Sequence, residues 1–165
     1  MIFLSFAKEI ERKGFEHYTR LADATRVREI AGLFRYLARE EKRHLEIFES
    51  WEKKSALPPV ENSGISKHAA KAFEILSEQF KTAGVPAINH DDAYEKALEF
   101  ENKSIRFYTE ALSGNEVSDE SQRAVLESII DQEKTHARLI TSLMEFQRHP
   151  GEWLENAEWH HSGEY

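Results

Sequence analysis

The chain contains no cysteine. That excludes disulfides, thiolate zinc sites and iron–sulfur clusters. Glycine and proline are scarce, 7 and 4 of 165 residues, and helix formers dominate what remains. Basic residues are outnumbered: 22 Lys and Arg face 30 Asp and Glu, a formal charge of −8. A surplus of that sign argues against nucleic acid and against an anionic membrane surface as partners. No apolar run is long enough to span a bilayer. The opening Met1-Ile2-Phe3-Leu4-Ser5-Phe6-Ala7 is apolar, but it has no basic region before it and meets Lys8 and Glu9 at once. It reads as the buried start of a helix rather than a signal peptide. The expectation is a soluble cytoplasmic protein, one domain by length and large enough for a real core.

What is present is helical periodicity. A first helix is expected over residues 3–22, with a seam at Ala7, Glu11, Gly14, Tyr18 and Leu21. Asp23-Ala24-Thr25 is a polar break suited to a helical hairpin. A second helix follows over 27–54. Its apolar residues Ile30, Phe34, Leu37, Phe48 and Trp51 step at threes and fours, and the stripe passes through Glu41 and His44. Residues 55–89 are punctuated by Pro58-Pro59, Gly64, Gly84 and Pro86, with one helix over 67–81 whose apolar positions are Ala70, Phe73, Ile75, Leu76 and Phe80. That is too long for a hairpin turn and fits a crossover running the length of a bundle. A third helix is expected over 91–112, with His90 or Asp91 near its N-cap and Ser113-Gly114-Asn115 ending it. A fourth runs over 119–148 and stops at His149-Pro150-Gly151. The tail carries Trp153, Leu154 and Trp159, which points to a short docked helix, on its own bundle or on a neighbour. The architecture is therefore an all-α four-helix bundle: hairpins over 3–54 and 90–148, a crossover over 55–89, and a tail over 149–165.

The two hairpins repeat. A shift of 90 lays Ala7, Glu9, Glu11, Lys13, Tyr18 and Thr19 on Ala97, Glu99, Glu101, Lys103, Tyr108 and Thr109. A shift of 92 lays Leu37, Glu41, Lys42 and His44 on Ile129, Glu133, Lys134 and His136. Glu11 and Glu41 lie 15 residues either side of position 26, and Glu101 and Glu133 lie 16 either side of 117. In an antiparallel hairpin each pair thus reaches one height, roughly 22 Å from the tip for the first. The repeat separates signal from accident. With 25 Glu and 8 His in the chain, chance supplies roughly one Glu-x-x-His pair. Three occur, Glu41/His44, Glu133/His136 and Glu158/His161, and the last has no repeat mate. Glu-x6-Tyr occurs four times, but only Glu11/Tyr18 and Glu101/Tyr108 match in the repeat; Glu29/Tyr36 and Glu158/Tyr165 do not.

Packing the hairpins together brings Glu11, Glu41, His44, Glu101, Glu133 and His136 inside. That is the ligand set of a carboxylate-bridged dinuclear metal site. Four carboxylates carry −4 and two divalent ions carry +4; without cations the buried acids would be strongly unfavourable together. Mixed oxygen and nitrogen ligands with open positions suit iron or manganese better than structural zinc. His17, His68, His90, His149, His160 and His161 read as surface residues.

These motifs resemble those of the rubrerythrin-like branch of the ferritin-like superfamily. Ala7 to Tyr18 is similar to that family's first-helix motif and Glu101 to Tyr108 to its third. Glu40 to His44 and Gln132 to His136 are similar to the second and fourth. The resemblance covers both hairpins. It implies a single ferritin-like domain and two iron ions held by the six residues named above, with manganese or zinc able to substitute. It also implies Tyr18 and Tyr108 hydrogen-bonded to ligand carboxylates, and an oxidoreductase that reduces peroxide or reacts with oxygen in oxidative-stress defence. The other readings are a ferroxidase or iron-handling protein, and a metal-stabilised interaction module without turnover. A homodimer is expected. Two departures matter. The family's cysteine-rich rubredoxin-like domain has no counterpart here, so electrons are expected from an external donor. The family's seventh carboxylate, one turn after the third-helix glutamate, is replaced by Ser104, with Gly14 as its repeat mate; six ligands imply slower peroxide reduction.

Overall fold

A computed structural model describes residues 1–84 and 91–155. Its described residues form six helices and no strand: α1 (Ile2–Ala24), α2 (Arg28–Glu52), α3 (Ile65–Ala83), α4 (Asp91–Ser113), α5 (Glu120–Arg148) and α6 (Pro150–Glu155). The four long helices match the expected hairpins to within about two residues at each end, the usual uncertainty of helix boundaries. None of the described helices is long and apolar enough to cross a membrane.

Local chemistry sets the ends. Thr25 leaves the helix in an extended conformation and its N–H closes on Leu21 O at 3.0 Å, ending α1. Asp119 caps α5, its carboxylate accepting from Gln122 N at 3.0 Å. Gly84, with φ +77°, ends α3, a conformation that costs other residues a Cβ clash. His149 precedes a proline and is driven out of the α region, so α5 stops there. Pro150 then opens α6, where its missing N–H costs nothing. The expected cap at His90 lies outside the described residues.

The hairpins α1–α2 and α4–α5 pack against each other through α1 and α4, α3 lies along α2, and α6 lies against α5. The apolar core falls into two clusters. One gathers Tyr18, Phe34, Leu37, Tyr94, Leu139 and their neighbours; the other gathers Phe3, Phe48, Trp51, Tyr108 and Ile129. On every long helix the polar seam residues fall between them. Glu11 lies between Ala7 and Tyr18, Glu41 and His44 between Ala38 and Ile47, Glu101 between Ala97 and Tyr108, and Glu133 and His136 between Ile130 and Leu139. The bundle is thus a polar layer held between two dry ones.

Three expectations are corrected. The opening segment is only half buried: Phe3, Leu4 and Ala7 point inward, while Met1, Ile2 and Phe6 are exposed, because one face of α1 meets solvent. In α3 the buried face is Ile65, Ala69, Ala72, Phe73 and Leu76, with Ile75 exposed and Ala70 and Phe80 at the margin. A crossover helix covers its partner with one narrow stripe, and Ile75 sits off it. His17 is half-buried, its Nε2 3.2 Å from Ala93 O, and ties α1 to α4. His68 and His149 are exposed as expected. The open question of the tail resolves for α6: Trp153 is buried edge-on against Phe73 and Phe146 of the same chain, with centroids 4.8 and 4.9 Å away. Glu158, Trp159, His160, His161 and Tyr165 lie outside the described residues.

Candidate metal centre

The six seam residues meet. Glu11, Glu41, Glu101, Glu133, His44 and His136 are each at most 2% exposed. They form two overlapping groups whose ligand atoms lie within 4.8 Å of one another. One is Glu11, Glu41, His44 and Glu133; the other is Glu41, Glu101, Glu133 and His136. Glu41 and Glu133 belong to both, so they occupy the place of bridging carboxylates. Glu11 with His44, and Glu101 with His136, are the terminal pairs. Each terminal pair joins one glutamate to the histidine of its own hairpin.

The imidazoles point inward through Nδ1. His44 Nδ1 lies 2.8 Å from Glu133 Oε1 and 3.3 Å from Glu11 Oε2. His136 Nδ1 lies 3.0 Å from Glu41 Oε1 and 3.5 Å from Glu101 Oε1. The ring planes stack at 17° with centroids 6.1 Å apart. Two tyrosines close the ends, and they cross between hairpins. Tyr18 of α1 donates to Glu101 of α4, and Tyr108 of α4 donates to Glu11 of α1.

Burial and crowding set the protonation of these groups in the metal-free protein. Burial pushes the Glu41 and Glu133 carboxyls well above the ordinary range, and the neighbouring carboxylates push the same way. Burial presses Glu101 upward too, but Glu133 takes up the proton of that pair and the His136 charge favours the carboxylate, so Glu101 stays below the ordinary range. Burial lowers the imidazoles, and the acids outweigh it: Glu11 chiefly holds His44 at about 9, and Glu101 chiefly holds His136 well above its usual value. Burial, reinforced by Glu101 and Glu11 respectively, raises Tyr18 and Tyr108 well above 10, so both phenols keep their protons.

The donor set fits cations. Glu101 Oε2 and Glu133 Oε2 are buried without a hydrogen-bond partner, and Glu11 Oε2, His44 Nδ1 and Glu133 Oε1 are paired with one another rather than with any group outside the site. Each such atom costs about 1–3 kcal/mol when left unmatched, and native cores avoid them. All five atoms belong to residues of the two groups, where a cation would satisfy them.

The outer side of the site was not legible beforehand. His136 Nε2 donates to Glu40 Oε2 at 2.5 Å, and Glu40 Oε1 accepts from Ser63 Oγ at 2.6 Å. His44 Nε2 donates to Gln132 Oε1 at 2.7 Å, while Gln132 Nε2 donates to Glu61 O at 2.7 Å. Glu40 and Gln132 are repeat mates, each one residue before a candidate bridging glutamate. Each reaches across to the opposite hairpin's histidine and also ties down the start of the crossover. The doubled acid Glu40-Glu41, and the motif starts at Glu40 and Gln132, marked the positions but not these partners. At the positions of the missing seventh carboxylate, Ser104 is buried and donates to Phe100 O at 3.0 Å. A Cβ on Gly14 would stand 3.0 Å from Glu41 Oε2, so the Glu41 carboxylate leans into the room that glycine leaves.

Among known proteins, no curated protein and no solved structure matches the chain. The sequence model of the rubrerythrin family matches residues 3–144, which include both hairpins' motifs and all six seam residues. With the bundle, its repeated hairpins and the buried Glu/His cluster in place, the chain belongs to the rubrerythrin family.

Proposed function

We propose that the protein is a di-iron oxidoreductase that reduces peroxide to water. The observation that carries this reading is the pair of four-residue groups sharing Glu41 and Glu133, with unmatched ligand atoms buried between them. Glu11 and His44 would serve one ion, Glu101 and His136 the other, and the shared glutamates both. When bound, two ferrous ions supply the two electrons that converting one hydrogen peroxide and two protons to two waters consumes. The chain's own groups do the rest. Tyr18 and Tyr108 hold their protons against Glu101 and Glu11, which orients the terminal carboxylates and keeps two hydroxyl donors at the site. The two apolar clusters exclude bulk water along the bundle axis. A cavity of about 250 Å³ lined by Arg43, His44, Pro58, Val60 and Gln132 borders the site and has room for a small oxidant. An external electron donor belongs to the same reading, as does a homodimer.

Anaerobic loading with Fe(II), followed by peroxide and oxygen in separate samples, tests it. Rapid oxidation by peroxide, repeated on each addition of reductant, is the expected result. Oxygen-driven oxidation of more than two Fe(II) per chain would instead mark an iron-handling protein. Metal-dependent stability with no redox turnover would mark a structural site.

A further inference from the structure

Seen from inside, the two imidazoles have equal company. Each Nδ1 faces a set of three glutamates, two of them shared. The difference lies behind the rings. His136 Nε2 donates to a carboxylate, Glu40, itself only 2% exposed and pinned on its other oxygen by Ser63. His44 Nε2 donates to the neutral amide of Gln132, which is pinned by the Glu61 carbonyl. A hydrogen bond to an ionised acceptor is roughly twice as strong as one to a neutral acceptor. A carboxylate behind a ligating imidazole also makes that imidazole a better donor to a metal. Glu40 further adds a negative charge to the His136 side.

Resting on the metal-site reading above, we propose that Glu40 and Gln132 are positioning residues that make the two ion positions unequal. The ion held by Glu101 and His136 binds first and more tightly; the ion held by Glu11 and His44 binds second. Sequence repetition gives the centre its matched inner ligands, and one departure from the repeat, Glu40 against Gln132, gives it an order of filling.

Titration of the full chain with Co(II), followed by calorimetry and visible absorption, tests this. Wild type should show two steps, with dissociation constants at least tenfold apart. H136A should erase the tighter step and H44A the weaker one. E40Q should weaken the tighter step by about 10–100-fold, the usual cost of losing such an outer partner, and so bring the two steps together. Q132E should close the gap from the other side by strengthening the weaker step, and it carries the test if E40Q does not fold. S63A removes the hydroxyl that pins Glu40 and should weaken the tighter step, by less than E40Q does. Equal steps in wild type, or a gap that survives both E40Q and Q132E, would overturn the inference while leaving the metal site standing. No Co(II) binding by folded wild type would overturn the metal-site reading itself.

Discussion

The hairpin α1–α2 and the hairpin α4–α5 are copies on the side that faces the bundle axis and different molecules on the side that faces away. Inside, Glu11 answers Glu101, Glu41 answers Glu133, His44 answers His136 and Tyr18 answers Tyr108. Outside, Glu40 answers Gln132, and on the inner seam itself Gly14 answers Ser104. The crossover accounts for part of this. It threads past both histidines once only, and each outer partner meets a different piece of it: Glu40 a Ser63 hydroxyl that donates, Gln132 a Glu61 carbonyl that accepts. A carboxylate suits the first and an amide N–H the second. On the proposed function, a dinuclear centre that needs matched ligands would hold the inner faces alike, while the asymmetric wrapping lets the outer faces diverge.

The comparison breaks most visibly at the shared glutamates. Glu41→Ala or Glu133→Ala removes a ligand from both groups and should abolish tight binding of both ions, while Glu11→Ala or Glu101→Ala should leave one ion bound. Elemental analysis after gel filtration reads the difference. By the same logic E133A/H136A should lose at least one ion and E158A/H161A none, although the two pairs share one spacing.

Metal loading itself should act next. Ions that bind only the folded chain stabilise it by about 4 kcal/mol at a thousandfold excess over the dissociation constant. For a chain of this size that is a rise of roughly 10 °C in Tm. The proton balance has a definite sign. In the metal-free protein His44 titrates at about 9 and Glu41 and Glu133 sit well above their ordinary range, so near neutral pH protons occupy the groups that metal needs. Loading should release protons into a weakly buffered solution, and affinity should fall as pH is lowered. An affinity independent of pH between 6 and 8 (two units on the order of the ordinary His range) would contradict this.

The tyrosines should sharpen the symmetry. Tyr18→Phe and Tyr108→Phe each remove one hydroxyl from one buried carboxylate, at a cost of about 1–3 kcal/mol. Their thermal shifts should be alike, since each donor serves the opposite hairpin's terminal glutamate in the same way. Gly14 and Ser104 should expose the smallest asymmetry. A methyl on Gly14 presses on Glu41, so Gly14→Ala should weaken metal binding a few-fold without destabilising the metal-free helix, where alanine is worth up to about 1 kcal/mol over glycine. Ser104→Ala loses only a bond to its own helix and should bind metal like wild type. A metal titration of both variants distinguishes them.

Much of the centre could be read before the fold was seen. A charged group on an apolar seam is costly, and four such seams at one height had few explanations other than cations. Glu11, Glu41, His44, Glu101, Glu133 and His136 carried that signal because helical spacing and hairpin symmetry fix their height and face. That Glu41 and Glu133 belong to both groups was not readable, because it depends on how two hairpins sit against each other. The crossing of Tyr18 to Glu101 was hidden for the same reason. Glu40 and Gln132 were hidden because their partners include crossover residues that obey no helical period. Ile75 misled because α3 buries a stripe narrower than its apolar composition implies, and Trp153 could be placed only once Phe73 and Phe146 were seen side by side.

Anomalous diffraction from a crystal loaded anaerobically with Fe(II) tests the central claim most directly. Two iron peaks are expected inside the bundle, one contacted by Glu11 and His44, the other by Glu101 and His136, with Glu41 and Glu133 touching both. A single peak, or an iron held by a protein ligand other than these six in place of His44 or His136, would contradict it.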